Sequence, residues 1–462
     1  MSTATIGDST PPGSLRIPLA SADLRTSLAS GDSSRWAVLG VAFLVGLAFF
    51  LTEHSLDISL VDAYTQTADE MELAASGGNS TRRIMFLALA GMGAWLLVQR
   101  RGNDLNLNWP LALAIGAYLS VSAASFVWAE DAGMCLRRLS VLACCVLAAA
   151  GIARRFSMRE LCLLTVAIVG PLVLLGFLAE LRHGTFRPWS GGYRFSGSVH
   201  PNTQNMYLTT LGLAALGLAR APRGGKQQKS AARGVPRWAY WGIVAACLLF
   251  GLLTKSRTGN AATLTAIGCV FLLQTPWRFK LTAGYAAGWL ALGGLWLLLL
   301  CGVDPLVDFR DALLLGRAEE SDTLSGRAFI WPNVLYYIGQ RPWLGYGYEA
   351  FWTPAHIDTI SHELQWGLRE AHNGYLELLL STGIVGLTAA AISILAGLAA
   401  AIRGSVRLDD PAYSLPLGML VFGLLSSTME SGMVVIMLPP LIVACCLIKM
   451  ALFAEQPAKE SL

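Results

Sequence analysis

The chain alternates long apolar runs with short polar connectors, and that alternation limits what it can fold into. Runs of bilayer-crossing length recur near 36–52, 84–99, 109–129, 136–153, 160–181, 203–220, 237–254, 258–274, 281–301, 374–402, 414–429 and 432–453. A helix needs about 20 apolar residues to cross the hydrocarbon core. Lipid offers the backbone no hydrogen-bond partners, so each run has to satisfy its own N–H and C=O groups as a helix. The expectation is an all-α, polytopic membrane protein of about 12 transmembrane helices. Composition agrees, with 54% hydrophobic and only 14% charged residues, against about a quarter charged in soluble domains. The nine cysteines lie mostly within or beside apolar runs. They form no paired-ligand spacing and read as small packing residues.

Positive charge sets the expected orientation. With the N-terminus in the cytoplasm, the cytoplasmic connectors carry Arg100 and Arg101, then Arg154, Arg155 and Arg159, then the basic stretch from Arg220 to Arg237, then Arg278 and Lys280, then Arg403 and Arg407. The opposite connector at 53–83 is mostly acidic, from Glu53 to Glu72. This divides the chain into a disordered cytoplasmic tail at 1–35, transmembrane helices 1–9 at 36–301 and a large periplasmic segment at 302–371. Transmembrane helices 10–12 follow at 372–453, with a second cytoplasmic tail at 454–462. Residues 1–35 are rich in Ser, Thr, Asp and Pro and lack the short apolar core of a secretion signal.

Several cations break the charge rule on the outer side. Arg194 lies in Gly-Gly-Tyr-Arg-Phe-Ser-Gly-Ser-Val-His-Pro-Asn, and Lys255 and Arg257 lie in Thr-Lys-Ser-Arg-Thr-Gly between two apolar runs. Arg327 and Arg341 follow in the large segment, and His372 opens the next run. Cations beside membrane spans are costly and point to function, although each can also snorkel to the headgroups. Guanidinium forks suit phosphate oxygens, so several at one face point to an anionic ligand, most simply a lipid-linked phosphate or pyrophosphate. Arg137 and Arg138 read as interfacial anchors, and Glu430 either caps a hairpin or serves the site.

The large segment also concentrates aromatic residues, from Trp331 through Tyr346, Tyr348, Phe351 and Trp352 to Trp366. These read either as an interfacial belt or as a platform for sugar rings. Gly345 and Gly347 allow a tight backbone there. His372 sits in Ala-His-Asn-Gly-Tyr-Leu-Glu; its imidazole can move a proton near neutral pH, with Asn373 or Glu377 to orient it. His356 and His362 have no zinc-helix spacing, and no catalytic metal or cofactor is expected.

Taken in order, Arg194-Phe-Ser-Gly with His200-Pro-Asn, Ser256-Arg-Thr-Gly, Leu324-Ser-Gly-Arg, Arg341-Pro-Trp-Leu-Gly-Tyr-Gly, His372-Asn-Gly-Tyr-Leu-Glu and Gly383-Ile-Val-Gly resemble the bacterial O-antigen ligase and polysaccharide polymerase superfamily. The run from Leu324 to Trp352 looks most like the exopolysaccharide polymerases. The resemblance implies an inverting glycosyltransferase of the bacterial inner membrane, active at the periplasmic face on a glycan carried by undecaprenyl pyrophosphate. It implies pyrophosphate binding by Arg194 and Arg257, acceptor activation by His372, and substrate-binding positions at Arg327, Arg341 and Asn373. Expected partners are the lipid-linked donor, a glycan acceptor, the lipid bilayer and a chain-length regulator; no nucleic acid is expected. A polymerase ranks first, and a ligase acting on lipid A-core ranks second. A protein glycosyltransferase ranks third, being expected to carry a further C-terminal region. A transporter or flippase for lipid-linked sugars is the alternative without chemistry.

Overall fold

The computed structural model describes residues 20–56, 80–99, 103–221, 235–276, 278–280, 282, 284, 327–364 and 368–454. Thirteen α-helices run through these residues. They are α1 (Ala20–Glu53), α2 (Ser80–Val98), α3 (Trp109–Ala124), α4 (Ala132–Arg155), α5 (Met158–His183), α6 (Pro201–Arg220) and α7 (Arg237–Leu253). Then come α8 (Arg257–Gln274), α9 (Arg327–Gln340), α10 (Pro354–Leu364), α11 (Gly374–Arg407), α12 (Ser414–Ser426) and α13 (Leu438–Leu452). Among the described residues six spans are long and apolar enough to cross a membrane, on α1 to α5 and on α11; α7, α12 and α13 are shorter apolar helices. Among the described residues the structure is all-helical, and its long apolar helices make the chain a multi-pass membrane protein. The run at 281–301 and the first part of the large segment lie outside the described residues, apart from 282 and 284.

Helix boundaries follow local chemistry. Ser157 and Glu160 form a reciprocal capping box at the start of α5, and Gly184 ends that helix in the left-handed conformation with φ +67°. Pro201 stands first in α6, where its missing N–H costs nothing. Asn373 caps α11 by accepting from the N–H groups of Tyr375 and Leu376.

α6 is the hub. It is buried continuously from Gln204 to Ala219, as a helix apolar on every side must be, and it packs against α5, α7, α8 and α12. Its N-terminus carries the His-Pro-Asn motif, so one end of the most buried helix presents residues of the candidate site. A second, smaller core forms where α9 and α10 fold over the start of α11, built from Ile330, Val334, Tyr346, Phe351, Trp352, Ile357, Ile360 and Leu380. Tyr346, Tyr348, Phe351 and Trp352 are buried. Tyr346, Phe351 and Trp352 pack this lobe and Tyr348 packs against Cys135 of α4, rather than forming an open sugar platform or a belt; the described ring left most exposed in this stretch is Trp343, together with Tyr336. Trp366 lies outside the described residues.

The Gly383-Ile-Val-Gly motif has a structural cause. α11 is interrupted at Gly383 (φ +63°, ψ −164°), and the 342–347 loop docks into the break. Tyr346 and Gly347 donate to the carbonyls of Leu380 and Ser381 at 2.7 and 2.9 Å, while Ile384 donates to Pro342 at 2.9 Å. The backbone groups freed by the kink are thereby satisfied. A Cβ at Gly383 would lie 2.3 Å from the Trp343 carbonyl.

Candidate functional site

The site begins with a buried carboxylate. Glu180, near the end of α5, is 1% exposed. One of its oxygens accepts from the N–H groups of Gly197 (2.7 Å) and Ser196 (3.0 Å) and from the Ser196 hydroxyl (3.3 Å). The other accepts from the Tyr193 hydroxyl at 2.5 Å. The loop on both sides of Arg194 is thus folded around one side chain. Arg194 then reaches across to a second segment, its Nε donating to the Thr254 carbonyl (2.9 Å) and its Nη2 to Asn202 Oδ1 (2.8 Å).

Thr254 ends α7, Lys255 takes φ +51°, and α8 starts at Arg257. Arg257 therefore occupies the first turn of a helix, where backbone N–H groups and the helix dipole already favour an anion. Gly259 of the Ser-Arg-Thr-Gly motif lets α8 approach α6, since a Cβ there would lie 2.4 Å from Asn205 Oδ1.

Glu430 joins the segments. It lies in the connection between α12 and α13, and its Oε1 accepts from Asn202 Nδ2 at 2.6 Å and from Arg327 Nη2 at 2.5 Å. Arg194, Asn202, Glu430 and Arg327 thereby form one hydrogen-bonded row drawn from four separate parts of the chain. Desolvation pushes the Glu430 carboxyl up to about 7, opposed by the nearby guanidiniums of Arg327 and Arg194.

His372 stands beside this row. Its backbone is held at φ +50°, a conformation unfavourable for a side chain with a Cβ. The neighbours impose it: Ala371 donates to Glu377 Oε1 (2.5 Å) and accepts from Trp331 Nε1 (3.2 Å). Gly374 donates to the carbonyls of Ser427 and Glu430. Glu377 therefore fixes the backbone ahead of His372, while the ring is addressed by Glu370, whose Oε1 lies 3.2 Å from Nδ1. Desolvation holds the imidazole below the usual histidine value; Glu370 opposes this and Arg327 adds to it. The amide of Asn373 is engaged in structure, capping α11 with its oxygen and donating to the Thr428 carbonyl (3.0 Å) with its nitrogen.

Arg341 is placed apart from this row. Its Nη2 lies 3.8 Å from Glu130, and its guanidinium sits 4.9 Å from the centre of the Tyr346 ring. His356 approaches the other oxygen of Glu130 at 3.6 Å. Of the expected residues, Arg194, Arg327 and His372 are thus gathered, with Arg257 opening the helix next to the Thr254 carbonyl that Arg194 holds.

The sequence alone does not single out Glu180 or Glu370, carries Asn202 only as part of the His-Pro-Asn motif, and leaves Glu430 open between two roles. The available signal was the same for Glu180 and Glu430: a carboxylate within or between apolar runs, which is costly unless partnered.

At the N-terminal end of α6 the helical scaffold gathers the Arg194 and Arg327 guanidiniums, the Glu430 carboxyl and the His372 imidazole. Residues 241–391 match the family described as O-antigen ligase, a stretch that includes Arg257, Arg327, Arg341, His372 and Asn373. The chain is also 26% identical over 321 residues, 65% of its own length and 67% of the other's, to the exopolysaccharide production protein ExoQ of Rhizobium meliloti (strain 1021). Both matches agree with the resemblance of the motifs to the O-antigen ligase and polysaccharide polymerase superfamily.

Proposed function

We propose that the protein is an inverting glycosyltransferase of the bacterial inner membrane that joins undecaprenyl-pyrophosphate-linked oligosaccharides at the periplasmic face, extending an exopolysaccharide or O-antigen chain. The observation that carries this is the row Arg194–Asn202–Glu430–Arg327 with His372 beside it and the start of α8 nearby. In this reading Arg194, Arg257 and Arg327 receive the diphosphate. The acceptor hydroxyl attacks the anomeric carbon from the opposite side and gives its proton to the His372 imidazole. The new glycosidic bond forms as the bond to phosphate breaks, and undecaprenyl pyrophosphate departs with the negative charge that the guanidiniums stabilise. Both termini lie in the cytoplasm, and the segment at 302–371 faces the periplasm.

The description of the matched family favours a second acceptor, a lipid A-core sugar receiving a finished polymer; the similarity to an exopolysaccharide production protein favours polymerisation. Purified protein with a synthetic undecaprenyl-pyrophosphate oligosaccharide separates the two. Chain growth with release of lipid pyrophosphate supports the polymerase, and release that requires a lipid A-core acceptor supports the ligase. His372→Ala abolishes turnover while keeping donor binding. A His372→Ala variant with native turnover would overturn the assignment.

A further inference from the structure

At the centre of the proposed donor site stands a carboxylate. An anionic substrate has to enter a row of hydrogen bonds that already contains a carboxylate, and that carboxylate sits on the guanidinium of Arg327 and on the amide that holds Arg194. The charged groups facing Glu430 are Arg327 from α9, Arg194 from the loop before α6, and Glu370 from the connection before α11, with Asn202 of α6 as the neutral partner. A diphosphate in ester linkage at both ends adds two negative charges beside Glu430 and Glu370. A like charge a few ångström away favours the neutral form of a carboxyl group.

Resting on the donor reading, we propose that Glu430 is the positioning residue of the donor site: its carboxylate keeps Arg327, Asn202 and Arg194 in register before the donor arrives, and it takes up one proton when the diphosphate joins the row. The proton comes from solvent, and no other bond changes. The neutral acid keeps a carbonyl oxygen for the Arg327 N–H and gains a hydroxyl donor that a phosphate oxygen can accept. The group that repels the ligand becomes one that binds it. The carboxyl is already pushed up to about 7 before any ligand is present, so the uptake occurs close to neutral pH.

The probe is a synthetic undecaprenyl-pyrophosphate oligosaccharide, a diphosphate diester whose own charge is constant across the range used. Donor affinity of the native protein falls about 50-fold between about pH 7 and pH 9, as the protonated fraction of Glu430 falls from about a half to about a hundredth. Glu430→Gln binds the donor with an affinity that is flat over the same range. Calorimetry at about pH 8 in two buffers of different ionisation enthalpy gives an uptake close to one proton per donor for the native protein and none for the variant. A residue with a structural role only would lower stability without creating a slope. Binding to the native protein that is flat from about pH 7 to pH 9, or a slope retained in Glu430→Gln, overturns the proposal and leaves the donor reading intact. Failure of the native protein to bind the donor at any pH overturns the donor reading and this proposal together. Should Glu430→Gln not fold, the proton uptake of the native protein decides alone.

Discussion

Glu180→Ala removes the acceptor around which the loop carrying Arg194 is folded. The carboxylate receives two backbone N–H groups, from Ser196 and Gly197, and two hydroxyls, from Ser196 and Tyr193. The hydroxyls can rotate to other partners, but the two backbone donors lie in a buried loop. Leaving a buried donor unsatisfied costs about 1–3 kcal/mol, so the pair costs roughly 2–6 kcal/mol of local stability. Arg194 hangs from the same loop. Loss of one charge-assisted contact, worth about 1.5–3 kcal/mol, weakens donor affinity about 10- to 150-fold. Glu180→Gln behaves differently. Its amide oxygen still accepts from Ser196 and Gly197, and its amino group turns to the Tyr193 hydroxyl, which is able to accept. The thermal midpoint and the donor dissociation constant are measured for both variants and for each combined with Arg194→Ala. The expected pattern is a large loss in Glu180→Ala, a small one in Glu180→Gln, and no further loss of affinity when Arg194→Ala is added to Glu180→Ala. A harmless Glu180→Ala, or a Glu180→Gln as damaging as the alanine, would refute the argument that this carboxyl acts as an acceptor cradle for Arg194.

Three further outcomes are expected. Removing the charge of Glu370 takes away the interaction that opposes desolvation of His372, whose imidazole burial already holds below the usual histidine value; because the imidazole works as a base in its neutral form, the acidic limb of kcat/KM moves to lower pH in Glu370→Gln than in the native protein, and an unmoved limb would detach Glu370 from the base. Gly383→Ala places a Cβ 2.3 Å from the Trp343 carbonyl at a φ of +63°; the thermal midpoint falls and turnover falls with it, and a variant as stable as the native protein would show that the kink is dispensable. Arg341→Ala leaves donor affinity within about threefold of native and costs about 1 kcal/mol of stability at most, since the side chain is 43% exposed and pairs with Glu130 at 3.8 Å; a large loss of donor affinity would place Arg341 in the pocket after all.

The membrane scaffold was legible because hydropathy is a local property. The apolar runs outside 281–301 coincide with helices, and the hairpin around Glu430 is formed by α12 and α13. The motif arginines were legible as candidates because a cation beside a span advertises its cost. Which of them share a pocket was not, since that depends on contacts between distant segments: Arg327 meets a carboxylate 103 positions away, whereas Arg341 meets Glu130. The aromatic cluster misled for a related reason. A ring that packs a small core and a ring that receives a sugar have the same composition, and only burial separates them. Trp331 and Trp352 turn out to brace the backbone of Ala371 and the side chain of Glu377, and so the approach to His372.

One physical cause acts on both titrating groups that flank Arg327. Desolvation disfavours whichever form carries charge, so it lowers the imidazole of His372 and raises the carboxyl of Glu430. Pushed this way, the two groups are both neutral across a window bounded below by the histidine and above by the acid. Within that window the imidazole is in the form that accepts a proton, and the acid no longer cancels the guanidiniums. The positive charge of Arg194 and Arg327 is then available to a diphosphate at the same pH at which the base is competent. Above the window the carboxylate competes with the donor; below it the base carries a proton and cannot take another. A pocket with exposed groups would keep the histidine near its ordinary value and the acid far below it, and at neutral pH its carboxylate would face the donor ionised. In the proposed reaction, partial burial at the end of a buried helix lets one small cluster both hold an anion and accept a proton.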